Sequence, residues 1–320
     1  MNHPLRIGAA CAALLAACLP SQAFASVLAV GPTDIGSIAI VDVDSHDQVP
    51  LEIEACCAIQ TGTVTADKAN HRVFFIAADG GVEQLYTFVY GIPASVDSLG
   101  LSNGQRVTHL VYDPVHLRFA ALVADDAGGV DPAIVSMFGR VAVTGTLGPD
   151  CCSLRAGVAA YDAAADLFYA VGRRTTDSTD QLFAFSITQG TLLASYPLGS
   201  ESVSTLLLHG GVLYALSYDA ATDALRAATI TFTPGFALTP IGSGAAGCCF
   251  VLAGSAALDH ARNTLVALTR SSTTIEPFAI RSFSLADGTV TQGFALAANG
   301  LFEDTVPLSD RIFADDFEGP

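Results

Sequence analysis

The chain has 320 residues, half of them hydrophobic (51%), and carries 31 acidic residues against 14 basic ones, for a formal net charge of −17. That much apolar content excludes a disordered secreted polymer. The acidic surplus, with Lys68 the only lysine, repels phosphate backbones and excludes nucleic acid as a partner class.

The first element is a leader. A short basic start ending at Arg6, an apolar run over 7–19 and a small-x-small ending at Ala23 and Ala25 predict a secretory signal peptide over residues 1–25, cleaved after Ala25. The run is too short for a bilayer span and no later stretch replaces it, so no transmembrane span is expected. Leu15-Ala16-Ala17-Cys18 resembles the lipobox of bacterial lipoproteins. The expected location is therefore outside the cytoplasm, periplasmic or extracellular, with a lipid anchor at Cys18 as the alternative. Removing the leader leaves six of eight cysteines, all in adjacent pairs, and an even count in an exported chain points to oxidised cysteines.

Residues 26–30, 37–43 and 49–53 read as short strands. After them comes a segment that recurs. Cys56-Cys57 leads through Gly62 to Asp67, Cys151-Cys152 through Gly157 to Asp162, and Cys248-Cys249 through Gly254 to Asp259: CC-x4-G-x4-D three times, 95 and 97 residues apart. A fixed period marks a repeat architecture. Each long repeat divides in two. After Asp67, Asp113, Asp162 and Asp259 a turn leads into apolar runs at 73–76, 119–123, 167–171 and 265–268; a fifth copy has His209 in the aspartate's place before 212–216. Third strands are expected at 84–89, 181–186 and 279–285, and fourth strands at 192–196 and 290–294. Five units of four strands thus fill about 61–299, each of about 48 residues, the size of a β-propeller blade. The early strands, joined by 302–308 as innermost strand, would make a sixth blade shared by the termini and remove an exposed edge. The expected fold is all-β, a six-bladed β-propeller over 26–308 with its first blade closed by N- and C-terminal strands. An outer-membrane barrel is disfavoured because runs such as 73–78 are apolar on both faces.

The pattern resembles the bacterial propellers built from YVTN-type or NHL-type repeats, in which an Asp-containing turn joins the two inner strands and a hydrophobic pair opens the second. The resemblance covers nearly the whole mature chain and implies a fold without a substrate. The tail at 309–320, with Phe313 and Phe317 among acidic residues, resembles the acid-aromatic endings of some exported bacterial proteins. It reads either as a recognition or sorting tail or as a peptide packing its phenylalanines onto a terminal blade.

The cysteines Cys56, Cys57, Cys151, Cys152, Cys248 and Cys249 are the disulfide candidates. In a six-bladed ring the pairs sit at every second blade, too far apart to bridge unless they lie almost on the axis, since bridged Cα atoms lie within roughly 7 Å. Vicinal disulfides are the first expectation, with free thiols or an axial metal as alternatives. Structurally each pair would be a rigid corner; functionally, a strained disulfide is more easily reduced and would suit redox work. Zinc spacings of the CxxC kind are absent. Quinoprotein dehydrogenases also place adjacent cysteines in propellers, but their blades dock through tryptophan, and this chain has none.

Aligned on the turn aspartates, the inner strands carry Thr63, His109, Val158, Thr205 and Ser255 at one level and Val64, Leu110, Ala159, Leu206 and Ala256 at the next, a small and mostly apolar channel. His109 is its exception, and Glu201, Glu303 and Asp304 are candidates near the channel mouths; these four are the candidate ligand-binding residues. The turn aspartates themselves read as backbone anchors. Gly242-Ser243-Gly244-Ala245-Ala246-Gly247 satisfies GxGxxG but leads into a cysteine pair instead of a helix, and Asp42 to Asp47 lacks a calcium loop's glycine and closing glutamate. No catalytic residue and no metal ligand set is assigned, and the cofactor is left open. The expected function is an exported, monomeric binding or interaction module for a protein or small molecule. The alternatives are a lactonase-like metal-dependent hydrolase using Glu201, Glu303 and Asp304, or a redox protein using the cysteine pairs.

Overall fold

The structure, a computed structural model, describes residues 58–295 apart from 71, 80, 90–94, 103–104, 125–128, 148–150, 247–249, 260–261 and 271–278, together with terminal strand segments at 28–32, 38–42, 48–51 and 306–308. The chain opens with β1 (Leu28–Pro32), β2 (Ile38–Asp42) and β3 (Gln48–Leu51). The first blade holds β4 (Ala58–Ile59), β5 (Thr65–Asp67), β6 (Arg72–Asp79), β7 (Val82–Val89) and β8 (Ser95–Gly100). The second holds β9 (Val107–Asp113), β10 (Arg118–Ala124), β11 (Val130–Ser136) and β12 (Val141–Val143). The third holds β13 (Cys152–Asp162), β14 (Leu167–Arg174), β15 (Asp180–Ser186) and β16 (Thr191–Pro197). The fourth runs through β17 (Glu201–His209), β18 (Val212–Asp219), β19 (Ala224–Thr231) and β20 (Ala237–Ala246). The fifth runs through β21 (Phe250–Asp259), β22 (Thr264–Arg270), β23 (Ala279–Ser284) and β24 (Val290–Ala295), and β25 (Val306–Leu308) follows. Each blade is an antiparallel meander paired in chain order from inner to outer strand. Among the described residues no helix is long and apolar enough to cross a membrane.

Among the described residues an apolar cluster fills each of the four gaps between blades consecutive in the chain. Phe74, Ile76 and Leu85 meet Leu110, Phe119 and Val135 between the first and second. Ala120 and Leu122 meet Tyr161, Phe168 and Phe183 between the second and third. Val171 and Leu182 meet Leu206 and Leu213 between the third and fourth, and Leu216 and Leu225 meet Leu265 and Phe283 between the fourth and fifth. A strand inside such a stack is buried on both faces, which is why five consecutive residues of β6, from Val73 to Ala77, are all buried. Each fully buried phenylalanine or leucine contributes on the order of 1.5–3 kcal/mol.

The turn aspartates hold the inner hairpins. Asp113 accepts hydrogen bonds from the backbone amides of Val115 and His116 and from the Arg118 side chain, and Asp162 accepts the amides of Ala164 and Ala165. In the fourth blade, where His209 replaces the aspartate, Gly210 and Gly211 turn the chain in two residues, both with positive φ, the geometry that matches the twist of a hairpin.

The expected count of six blades is corrected to five. The five units read between 61 and 299 are the five blades above. The terminal strands pair in a separate small sheet, in the order β25, β1, β2, β3. Of the stretch 302–308 expected as innermost strand, the described residues are Val306–Leu308, which pair with β1. β25 and β1 come from opposite ends of the chain, so no aspartate turn joins the two inner strands of this sheet as it does in the repeat units.

Candidate functional site

The recurring corner comes first, because it decides what the channel holds. In β13 the pairing with β14 jumps between Leu154 and Ala159, and β21 shows the same jump between Val251 and Ala256. The bulge is turned by the repeat glycine: Gly62 and Gly157 have φ of 89° and 74°, a region closed to most side chains. These two glycines meet. A Cβ on Gly62 would lie 2.6 Å from the Gly157 amide nitrogen and 3.0 Å from the Thr108 carbonyl. Beside them the Thr63 hydroxyl donates to the Gln60 carbonyl and accepts the Ile76 amide; Ser255 repeats this with Leu252 and Leu268. The residue two before each glycine reaches the next blade, Gln60 through its Nε2 to the Val107 carbonyl and Arg155 through Nη1 to the Val203 carbonyl. The CC-x4-G-x4-D repeat is thus a corner that locks one inner strand to the next.

Thr63, His109, Val158, Thr205 and Ser255 are all buried, so at this level they fill the interior. His109 is satisfied: Nε2 lies 2.9 Å from the Arg155 carbonyl and Nδ1 3.1 Å from the Thr108 hydroxyl. Burial pushes its pKa below the ordinary 6.5, with the Arg155 carbonyl acting weakly the other way. The folded protein therefore keeps His109 neutral, while the unfolded chain protonates it on acidification through about 6.5. The unfolded state then binds the extra proton, so stability is complete above that pH and is lost as the pH falls. Urea unfolding across pH 7 to 5 is expected to show a decline in the wild type steeper than in His109→Gln by up to about 1.4 kcal/mol per pH unit. Parallel profiles would show that His109 is not held neutral.

Glu201, at the start of β17, is also engaged: Arg226 Nη2 lies 2.8 Å from its Oε1, and the Ser217 hydroxyl donates to its Oε2 at 2.9 Å. Glu303 and Asp304 lie outside the described residues, as do Cys56, Cys57, Cys248 and Cys249. Among the described residues no three of His, Cys, Asp and Glu converge as a metal site. Cys151 and Cys152 form a vicinal disulfide at the entry to β13, the pairing expected for them.

The same end of the third blade holds a cleft that the motifs did not reveal. It has a volume of about 670 Å3 and is lined by Arg173, Arg174, Asp177, Thr179, Asp180 and Gln181, with Pro197 and Gly199 from the link to the fourth blade. Its position follows from the ladder: Cys152 pairs with Arg174 and Ser153 with Arg173, so the disulfide, both arginines and the β14–β15 turn share one edge. Asp180 anchors the charges. Its Oδ2 takes Arg155 Nη2 at 2.5 Å and its Oδ1 takes Arg173 Nε at 3.1 Å. Asp177 caps the turn, accepting both the amide and the hydroxyl of Thr179, which hold its carboxyl below the usual carboxylate range. Arg174 donates to the Ser195 hydroxyl at 2.7 Å. Gln181 is buried, donates from Nε2 to the Thr179 hydroxyl, and has no partner for its Oε1 among the described residues. One sequence signal existed: Arg173-Arg174 is the only adjacent basic pair, and with Arg155 it concentrates three of the chain's few cations within twenty residues.

No protein-family model and no curated protein sequence matches the chain. Solved structures are similar in fold. A chain of the nidogen/laminin complex superposes with a TM-score of 0.61 at 12% identity, covering 88% of this chain and 98% of that one. TolB from Acinetobacter baumannii gives 0.59 at 12% identity over 90% of this chain and 67% of that one. The β-propeller domain of Cps50 (Swd1) from Myceliophteria thermophila gives 0.51 at 11% identity over 86% and 87%. Identities this low establish the propeller fold and leave activity to the site.

Proposed function

We propose that the chain is an exported binding module whose recognition site is the cleft at the end of the third blade. The observation that carries this reading is Asp180, which lines the cleft and fixes the Arg173 guanidinium at its edge while its other oxygen is held by Arg155, a preorganised polar site on a rigid scaffold of strand ends. Export is supported by the leader at 1–25 and by the oxidised pair Cys151–Cys152, which suits an oxidising compartment. Glu201 is the described member of the carboxylate set that a metal-dependent hydrolase would use, and it is committed to Arg226 and Ser217.

The test is the mass of the mature protein purified from its source culture, native and denatured without reduction. The expected native mass exceeds the denatured mass by a small molecule, and the excess disappears in Arg173→Glu, whose side chain is 64% exposed and whose replacement spares the core. An excess that survives in Arg173→Glu moves the site elsewhere, and equal masses in the wild type overturn the reading. The denatured mass also tests cleavage after Ala25 against lipidation at Cys18.

A further inference from the structure

We infer that the Cys151–Cys152 disulfide is a redox switch on the third-blade cleft: oxidised, it pins the strand end against which Arg173 and Arg174 pair, and opened by an external dithiol it lets that edge loosen. The switch regulates the same cleft, so it deepens the binding-module reading and rests on it.

The ladder connects the bond to the cleft. At this end β13 and β14 share three pairs, Cys152 with Arg174, Ser153 with Arg173 and Leu154 with Gly172, and pairing resumes only at Ala159 and Ala170. The bulge between them cuts these three pairs off from the long, buried part of the ladder, and the disulfide sits on the outermost pair. Arg174 passes the contact on. Its amide donates to the Thr179 carbonyl at 3.0 Å and its carbonyl accepts the Ser178 amide at 2.9 Å, and this turn lines the cleft. Fixing Cys152 therefore fixes Arg174, and Arg174 fixes the turn.

The bond itself is suited to opening without unfolding. It joins neighbours, so it closes no loop of chain, and the entropy by which a long-range disulfide stabilises a fold is missing. One peptide unit holds the two Cα atoms 3.7 Å apart, below the roughly 4.4–6.8 Å of ordinary disulfides, and bonds outside that span are the more readily reduced. Cys152 is fully buried in the cluster between the second and third blades, whereas Cys151 is partly exposed. A thiolate of the reductant attacks the Cys151 sulfur, the S–S bond breaks, and the Cys152 sulfur leaves and takes up a proton. The reductant's second thiolate then displaces Cys151. The reductant departs as a disulfide and both cysteines end as thiols, two electrons and two protons richer. A Cys152 thiol is a small apolar group and can stay in its cluster, so the blades stand while the corner is freed.

The test is hydrogen exchange of the mature protein in oxidising buffer and with dithiothreitol as the probe, beside Cys151→Ser, which removes the bond and keeps the buried Cys152. Peptide masses check that the pair starts oxidised and gains two hydrogens. Reduced wild type and Cys151→Ser are both expected to exchange the Arg174 and Ser178 amides about tenfold faster than oxidised wild type, with Ala215 and Leu216 of the fourth blade unchanged. Cys151→Ser should no longer respond to dithiothreitol at Arg174 and Ser178. Unchanged exchange at these two amides overturns the switch and leaves a passive corner, and faster exchange across all blades overturns it in favour of a staple. The amides read the switch without a ligand, so absence of the native mass excess in oxidised wild type removes the binding reading alone. Where that excess is present, its loss in Cys151→Ser supports control of the cleft, and its persistence overturns it.

Discussion

Gly62→Ala is expected to destabilise the protein by about 2–5 kcal/mol, a large share of the 5–15 kcal/mol typical of a folded domain. Two costs combine. The φ of 89° places any L side chain in the left-handed region, and the new Cβ would be driven to 2.6 Å from the Gly157 amide nitrogen, inside the meeting of two repeat corners. Gly81 separates them. Its φ is 86°, nearly the same, but a Cβ there meets nothing within 4 Å. Gly81→Ala therefore carries only the backbone cost, about 1–2 kcal/mol. Urea midpoints of the two variants measure the difference, and equal losses would show that Gly62 and Gly157 do not lock the inner strands together.

Phe168→Ala is expected to cost about 3–5 kcal/mol. The ring is fully buried in the cluster between the second and third blades, 6.1 Å from the Tyr161 ring centre to centre, and the cavity left behind cannot close without moving a whole sheet. Leu193, 52% exposed on β16, serves as contrast: Leu193→Ala should change stability by less than about 0.5 kcal/mol. Phe168 lies near the opposite end of β14 from Arg173, so a folded Phe168→Ala protein should keep the wild-type ligand affinity. A loss below about 1 kcal/mol would contradict the packed interface between these blades.

The blade pattern was legible because it rests on short-range signals. Turn aspartates, paired glycines and apolar runs buried on both faces mark hairpins locally, and the 95- and 97-residue periods tie them into two-blade units. The number of blades was not legible to the same degree, since the strand-like segments at 28–51 and 306–308 can be counted in sequence without showing which sheet they join. Glu201 was read as an open carboxylate because its partner Arg226 lies 25 residues on and is brought alongside by the register of β17, β18 and β19. The cleft escaped for a similar reason. Arg155, Arg173 and Asp180 belong to three strands, and the other two copies of the corner carry Gln60 and Leu252 where the third blade has Arg155, so the repeat that revealed the fold did not mark the copy that carries an arginine.

The central claim, a recognition site at the end of the third blade, is tested most directly by hydrogen exchange of the mature protein with and without small molecules concentrated from its own culture medium. Local opening there should be suppressed by ligand. The account predicts slowed exchange confined to residues 173–181 and 197–199, absent in Arg173→Glu. Protection centred on the aspartate turns at the other end of the blades, or none at any residue, would contradict it.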